Sequence, residues 1–275
     1  MRAMTKKVLV LATVLLAASL AACKSVQTTR PGEVGVARQQ NMLVSSSTIN
    51  KSAANAYRKV ISDAQKKGQL NQDAAAYARV RGIADRLIPQ TGAFRGDAPG
   101  WAWEVNVITS KEVNAWCMPG GKIAFYTGLI EKLQATDGEI AAVMGHEIAH
   151  ALREHGRERA SQAMAQGIGI AVIGTALGLG GGAQDLTQMV LDLTFNLPNS
   201  RTDETEADRI GVELAARSGY DPNSAVTLWE KMQKAGGSQP PQFLSTHPSH
   251  ASRLSDLRGY AAKVKPLYDA AREKR

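Results

Sequence analysis

A His-Glu-x-x-His pattern occupies residues 146–150, in a stretch that is otherwise almost wholly apolar. If the stretch is helical, with about 3.6 residues per turn, His146 and His150 lie on one face, about 40° apart around the axis. Both imidazoles can then reach a single metal ion, with the carboxylate of Glu147 beside it. Two histidines and a glutamate in an apolar helix need partners, so the setting favours a metal site over a pair of surface histidines.

Zinc is the metal that this pattern favours, with one ion per chain. Imidazole nitrogens suit zinc, which needs only three protein ligands when its fourth position stays open to water. Zinc lowers the pKa of that water to about 7, and a neighbouring carboxylate can take the proton. The pattern therefore predicts a zinc peptidase site in which Glu147 is the general base.

A second helix supplies candidates for a third ligand. Residues 200–216 have a helical pattern with Ser200 as N-cap, and Glu204 and Asp208 lie four residues apart on one face. Glu204 can bind the metal while Asp208 accepts the N–H of a ligand histidine and fixes its tautomer. Glu206, about 200° further around the helix, is expected to face elsewhere. The spacing alone also fits a solvated acidic face, and only the histidine pattern favours ligands.

Helical periodicity covers most of the chain, and a short β region lies between residues 103 and 127. Trp103, Val105 and Val107 alternate with polar residues, and two more short strands are predicted at 113–118 and 122–127. Downstream, Thr136 opens a Thr-x-x-Glu capping box in front of the histidine pattern. The sequence predicts an α+β fold that is mostly helical, with a small β-sheet forming one wall of a cleft.

Residues 1–22 are typical of a bacterial secretory signal, with basic residues followed by an apolar core too short to span a membrane. The core ends in Leu-Ala-Ala-Cys, which resembles the cleavage site of bacterial lipoproteins. That resemblance implies a lipid anchor on Cys23 and attachment to the membrane. Because Lys24 follows rather than aspartate, it also implies the periplasmic side of the outer membrane. The alternative is an ordinary signal peptide beside an unrelated cysteine.

Composition divides the remainder of the chain. Residues 23–50 are rich in Ser, Thr, Gln and Gly and are expected to form a flexible tether, and residues 51–275 are expected to form the domain. Within the domain, residues 167–182 are rich in glycine and apolar side chains and carry no charge. They fit a closely packed core helix, with a membrane-dipping or mobile segment as the alternative.

Charge and cysteine content argue against nucleic-acid binding and against catalysis by a cysteine nucleophile. The formal net charge is +8, and it falls to +5 if Arg2, Lys6 and Lys7 are removed with the signal peptide. A modest positive charge suits a protein near anionic lipid, and no arginine–aromatic patch predicts nucleic-acid binding. If Cys23 is lipidated, Cys117 has no disulfide partner and is expected to be a small apolar filler rather than a nucleophile.

Several motifs together resemble the gluzincin zinc metallopeptidases, the family that includes the HtpX-like membrane proteases and the CAAX prenyl proteases. They occur in family order from about residue 100 to residue 258, over most of the domain. The sequence lacks the long apolar spans of the integral membrane members, so it resembles the soluble periplasmic lipoprotein branch. The motifs are Asn114-Ala115, Pro119-Gly120-Gly121, Tyr126-Thr127-Gly128-Leu129, the pattern at 146–150, Ser200-Arg201 with Glu204 and Ala207-Asp208, and Thr246-His247-Pro248 with Arg253-Leu254.

This resemblance implies a zincin-like fold and assigns a role to each matching residue. His146, His150 and Glu204 are expected to bind zinc. Glu147 is expected to be the general base, and Asp208 is expected to support a ligand histidine.

The resemblance also concerns residues outside the ligand set. The strand at Asn114 and Ala115 is expected to pair with an extended substrate backbone, which is β-augmentation at an exposed edge. His247 could stabilise the oxyanion of the tetrahedral intermediate, or it could occupy the open zinc position and hold the enzyme off. Arg253 is expected to pair with a carboxylate near the site.

The sequence thus predicts a zinc endopeptidase of the bacterial envelope that acts on unfolded or misassembled proteins. Outer-membrane assembly machinery is a candidate partner. The alternative is a chaperone-like assembly factor whose zinc site is latent or blocked by His247. The complete His-Glu-x-x-His pattern argues against a pure scaffold, which needs no general base. His155 and His250 are expected to lie at the surface.

Overall fold

The computed structural model describes residues 24–165, 182–235, 241–248 and 252–273. The predicted signal peptide at 1–22, Cys23 and His250 lie outside the described residues. So does the glycine-rich segment 167–182, except for its last glycine. Among the described helices, none is both long enough and apolar enough to cross a membrane.

The described chain is mostly helical, with five short strands, and the predicted α+β fold class is confirmed. The strands are β1 Lys24–Val26, β2 Gln40–Met42, β3 Glu104–Ile108, β4 Ala115–Met118 and β5 Lys122–Tyr126. The helices are α1 Ser46–Lys66, α2 Ala74–Leu87, α3 Thr127–Lys132, α4 Asp137–Leu152, α5 His155–Ala165, α6 Gly182–Phe195, α7 Arg201–Arg217, α8 Ser224–Ala235, α9 Gln242–Thr246 and α10 Arg253–Glu273. Two short 3₁₀ turns follow α2, at Ile88–Ala93 and Ala98–Gly100.

The central sheet has the strand order β3-β5-β4, with β3 parallel and β4 antiparallel to β5. Strand β4 therefore lies at an edge. Apolar side chains alternate along β5, so that Ile123 and Phe125 pack with α2, α4 and α7, whereas Ala124 and Tyr126 pack with α1 and α6. Helices thus cover both faces of the sheet, and the sheet holds β4 next to α4.

Helix α4 is the buried centre of the domain, because nearly all its side chains are apolar and every residue from Glu139 to Leu152 is buried. The predicted capping box is present: the hydroxyl of Thr136 accepts from the Glu139 backbone N–H, and the Glu139 carboxylate accepts from the Thr136 N–H. Helix α7 packs along α4. It has its own capping box, with Ser200 as the N-cap.

The N-terminal segment corrects the prediction of a flexible tether at 23–50. Strand β1 pairs with β2, and Val34 and Val36 are buried in the main apolar cluster. The backbone N–H of Val34 donates to Glu213 on α7 at 3.0 Å. Helix α1 begins at Ser46, before the expected domain boundary at residue 51. The polar composition was misleading, because the partners of this segment lie more than 100 residues away along the chain.

Candidate metal centre

Helix α4 places the two histidines of the motif on one face, as their four-residue spacing predicts. Their Nε2 atoms lie 3.1 Å apart, and both side chains are buried. Glu147 lies beside them and is also buried. The motif therefore forms one compact group in the core rather than a pair of surface histidines.

Helix α7 adds Glu204 to this group. Its Oε1 atom lies 3.4 Å from His150 Nε2, and its Oε2 atom lies 3.6 Å from His146 Nε2. The carboxylate has no exposed surface. Although burial opposes ionisation, the positive charge and hydrogen bonding of the surrounding histidines hold the pKa of Glu204 well below its ordinary value.

These groups fit a zinc ion. One ligand atom from each of His146, His150, Glu204 and His247 lies within 4.8 Å of the others. Two nitrogens bound about 2.0 Å from a tetrahedral zinc lie about 3.3 Å apart, close to the 3.1 Å between the histidine Nε2 atoms. Within the described chain, Oε1 of Glu147 and Oε2 of Glu204 are buried and form no well-aligned hydrogen bond, although Nε2 of His247 lies 3.3 Å from the first and Nη1 of Arg253 lies 3.0 Å from the second. Buried carboxylate oxygens of this kind favour a cation between the helices.

Asp208 lies against His146, in the supporting position that the sequence predicts for it. Its Oδ1 atom lies 3.0 Å from His146 Nδ1, which leaves Nε2 to face the ligand group. Arg253 is fully buried, stacks on the ring of Trp229, and donates to the same Oδ1 at 2.7 Å. It also lies 3.0 Å from Glu204 Oε2, so it pairs with two carboxylates of the site.

Glu147 lies next to the ligands but is turned toward the sheet. Burial raises the pKa of its carboxyl to about 8, and the backbone N–H of Cys117 on β4 is among the groups that oppose the rise. A divalent cation held by the neighbouring ligands would lower that pKa again. Glu147 therefore lies beside the group of possible metal ligands without belonging to it.

His247 follows the short helix α9 and lies among the ligand atoms. Its Nδ1 atom is 2.9 Å from Glu204 Oε1 and 3.2 Å from His146 Nε2, while its Nε2 atom is 3.3 Å from Glu147 Oε1. Its ring stacks on Phe243 with centroids 4.2 Å apart. His247 thus lies among the same buried nitrogen and oxygen atoms as the three predicted ligands.

The cleft beside the site is lined on one side by β4 and on the other by α4 and α6, so the sheet forms one of its walls as predicted. The wall residues are Trp116, Cys117 and Pro119. Asn114 and Ala115 are both buried just before them, and the Asn114 carbonyl accepts from Tyr126 of β5. The strand that is predicted to bind substrate is therefore the edge strand β4, which lines the cleft. Asn114 and Ala115 themselves lie outside the cleft lining.

Two histidines were expected at the surface, and for His155 that expectation is wrong. His155 is 1% exposed, and its Nδ1 atom lies 2.8 Å from Nδ1 of His150. Its Nε2 atom lies 3.1 Å from Glu206. Glu206 does face away from the ligand atoms as predicted, toward His155 and Arg153. Burial lowers the pKa of His155. The only sequence signal was a third histidine soon after the motif.

Several known proteins are similar to part of this chain. Mitochondrial metalloendopeptidase OMA1 of Arabidopsis thaliana is 40% identical over 154 residues, which are 56% of this chain and 30% of that protein. Mitochondrial metalloendopeptidase OMA1 of Bos taurus is 34% identical over 209 residues, 70% of this chain and 38% of that protein. Beta-barrel assembly-enhancing protease of Escherichia coli K12 is 34% identical over 173 residues, 58% and 35% of the two chains.

The matching stretch thus spans less than two fifths of the length of each of these relatives. The sequence profile described as Peptidase family M48 matches residues 74–261, which contain the whole ligand group. That range is more than half of the chain, and the family resemblance found from the motifs is confirmed. The chain belongs to peptidase family M48, a family of metallopeptidases.

Proposed function

We propose that this protein is a zinc endopeptidase of the bacterial cell envelope. One observation carries the proposal: two histidines and a glutamate from helices α4 and α7 converge in the core, with the buried carboxylate of Glu147 beside them. This donor set suits zinc, since imidazole and carboxylate ligands together form the sites of zinc peptidases. The names of the relatives, which are metalloendopeptidases and a protease, point the same way.

Each side chain has a part in the hydrolysis. Zinc held here would supply Lewis acidity toward a water molecule and the carbonyl of the scissile bond. Glu147 takes a proton from the attacking water at Oε1 and passes it to the leaving amine nitrogen. Asp208 holds His146 with its Nε2 atom toward the ligand group. Arg253 offsets the negative charge of Glu204 and Asp208, which are buried together.

The proposed substrates are unfolded or misassembled envelope proteins. Strand β4 lies at the edge of its sheet and forms one wall of the cleft. A peptide that adds to such an edge must be extended, and folded proteins rarely offer extended backbone. The charged start and lipoprotein-like cleavage site of the sequence support a lipid anchor at Cys23 and the periplasmic side of the outer membrane.

A second candidate function is a chaperone-like assembly factor whose site is held latent by His247. The observation that favours it is the position of the His247 ring among the ligand atoms, 2.9 Å from Glu204. A ring in that position excludes water from the place where the reaction needs it. One of the relatives is named a beta-barrel assembly-enhancing protease, which supports outer-membrane assembly machinery as a partner.

The deciding experiment is hydrolysis of unfolded casein by the zinc-loaded protein, with the Glu147→Gln variant beside it. Cleavage by the wild type and none by the variant supports the peptidase and assigns the base. Equal cleavage by both overturns the role of Glu147. If the zinc-loaded wild type and the His247→Ala variant both leave casein intact, the peptidase proposal is wrong and the assembly factor is favoured.

A further inference from the structure

The two ligand histidines are supported in different ways. His146 reaches a carboxylate directly, since its Nδ1 atom lies 3.0 Å from Asp208. Among the described residues, no carboxylate lies at the outer nitrogen of His150. Instead, its Nδ1 atom lies 2.8 Å from Nδ1 of His155, and the far nitrogen of His155 lies 3.1 Å from Glu206. A second histidine thus stands between this ligand and its carboxylate.

The direction of the hydrogen bonds from His150 through His155 to Glu206 follows from the chemistry of the Glu206 carboxylate. A carboxylate only accepts hydrogen bonds, so Nε2 of His155 must carry the proton that Glu206 receives. In the neutral ring, Nδ1 of His155 is then an acceptor. The nitrogen facing it at 2.8 Å, Nδ1 of His150, must be the donor. The remaining nitrogen of His150, Nε2, is left with a lone pair that faces Glu204 and His146.

The reverse direction is unfavourable. If His155 carried its proton on Nδ1, its Nε2 lone pair would face the Glu206 carboxylate, and two acceptors would oppose each other in the core. His150 would then hold its own proton on Nε2, among the ligand atoms, where it would prevent binding to a metal. One proton arrangement therefore satisfies both histidines and frees the ligand nitrogen.

Glu206 is held in place from two other parts of the chain. Arg153, which is fully buried at the end of α4, donates to its Oε2 atom at 2.9 Å. Arg38, which comes from the N-terminal segment, donates to its Oε1 atom at 2.7 Å. Two guanidinium groups and the His155 ring therefore fix the position of this carboxylate.

We propose that His155 is a positioning residue, which fixes the tautomer of His150 and aims its Nε2 lone pair at the zinc ion. Glu206 sets the tautomer of His155 in turn. The proposal rests on the zinc site of the proposed function, and it extends the metal centre by two residues that the motifs do not include. Groups that orient a metal-ligating histidine in this way are typically worth about 10- to 100-fold in metal affinity.

The test compares zinc affinity in three variants of the full chain by competition with a chromophoric chelator. His155→Phe keeps an aromatic ring but removes both nitrogens, and we expect its affinity for zinc to fall about 10- to 100-fold. His155→Asn places an acceptor oxygen near the position of Nδ1, and we expect it to recover part of the loss. Glu154→Gln is the matched control, because Glu154 is the preceding buried residue but pairs with Arg95 and Arg157. Its affinity is expected to equal that of the wild type.

A second measurement reads the tautomers directly. Imidazole ¹⁵N NMR spectra of the metal-free and zinc-loaded protein should show His150 protonated at Nδ1 and His155 protonated at Nε2. The His155→Asn variant assigns the His155 signals by their loss. A proton on Nδ1 of His155 in the zinc-loaded protein would overturn the proposal.

The outcomes separate this inference from the proposed function. If the wild type binds no zinc, the proposed function itself is wrong. If the wild type binds zinc and the folded His155→Phe variant binds it equally well, only the positioning role is wrong. A purely structural role would lower the melting temperature of the metal-free His155→Phe protein without changing the affinity of the folded molecules.

Discussion

A Cβ atom placed on Gly145 would lie 2.7 Å from the carbonyl oxygen of Gly211, and a Cβ atom on Gly211 would lie 2.7 Å from the backbone nitrogen of His146. Helices α4 and α7 therefore touch backbone to backbone beside the first ligand histidine. Side chains of ordinary size at these positions would force the helices apart. The contact brings Glu204 within reach of both histidines.

The first prediction concerns this contact. Gly211→Ala is expected to lower the free energy of unfolding by about 1–3 kcal/mol, because the added methyl group meets backbone that cannot turn aside. Thermal and urea unfolding measure the change. The matched control is Gly259→Ala on α10, where a Cβ atom would meet no atom of the described residues within 4 Å. The control should be neutral or stabilising, by up to about 1 kcal/mol, since alanine favours helix over glycine. Equal effects of the two substitutions would contradict the close-contact argument.

Local patterns were sufficient to predict the elements that carry the site. The capping box at Thr136, the four-residue spacing of His146 and His150, and the N-cap at Ser200 each depend on residues within one or two turns. The spacing of Glu204 and Asp208 also placed both on one face of α7. What spacing could not settle was which histidine Asp208 supports, and the structure pairs it with His146.

The wrong predictions involve contacts between distant residues. Glu154 has a φ of 52° and ends the helical spiral after the motif, so the position of His155 cannot be extrapolated from α4. Glu206, the partner of His155, lies 51 residues further along the chain. The N-terminal segment likewise contains few apolar residues, and its arginine finds carboxylates on α5 and α7. No local pattern in the sequence indicates these distant contacts.

The second prediction concerns the metal. Zinc at about 100 times its dissociation constant should raise the free energy of unfolding by about 2.7 kcal/mol, because it binds the folded state alone. Glu204→Gln should abolish this increase, since the amide removes a charged ligand from a fully buried position. Unfolding curves with zinc and with chelator test both statements. An undiminished zinc effect in the variant would exclude Glu204 as a ligand.

The third prediction separates the two roles of His247. If its ring occupies the fourth ligand position, His247→Ala should raise the rate of casein cleavage. If the ring stabilises the oxyanion, the same variant should lower kcat, by about 100-fold or more. Because Nδ1 of His247 lies 2.9 Å from Glu204, we expect the increase. A suitable control is Asn199→Ala, which removes a more distant neighbour of the same ring, 3.4 Å from Nδ1.

The fourth prediction concerns the N-terminal segment. Arg38 donates to Glu158 at 2.6 Å and to Glu206 at 2.7 Å, and both carboxylates are buried. Arg38→Leu should lower the free energy of unfolding by about 2–4 kcal/mol, because it leaves buried carboxylates with less compensation. Arg81→Leu is the matched control, since Arg81 pairs with Asp85 at the surface of α2. Its effect should stay below about 1 kcal/mol. If residues 23–50 were a flexible tether, Arg38→Leu and Arg81→Leu would change the free energy of unfolding in urea by the same amount.

The fifth prediction concerns pH. Although burial raises the pKa of Glu154, hydrogen bonds and charge from Arg157 and Arg95 lower it below the ordinary value of 4.5. A carboxyl whose pKa is lower in the folded state stabilises the fold above its unfolded pKa, and this stabilisation is lost as pH falls through the folded value. Near neutral pH, Glu154→Gln should therefore lower the free energy of unfolding by about 1–3 kcal/mol.

The difference between wild type and Glu154→Gln should shrink as pH falls below about 4.5, where the carboxyl becomes protonated in the unfolded and then in the folded chain. Urea unfolding at a series of pH values measures it. Asp63→Asn provides the comparison, because Asp63 is exposed on α1 and lies 4.0 Å from its partner Lys66. A difference for Glu154→Gln that stayed constant with pH would show that the buried pair stabilises through packing alone and that its charge contributes nothing.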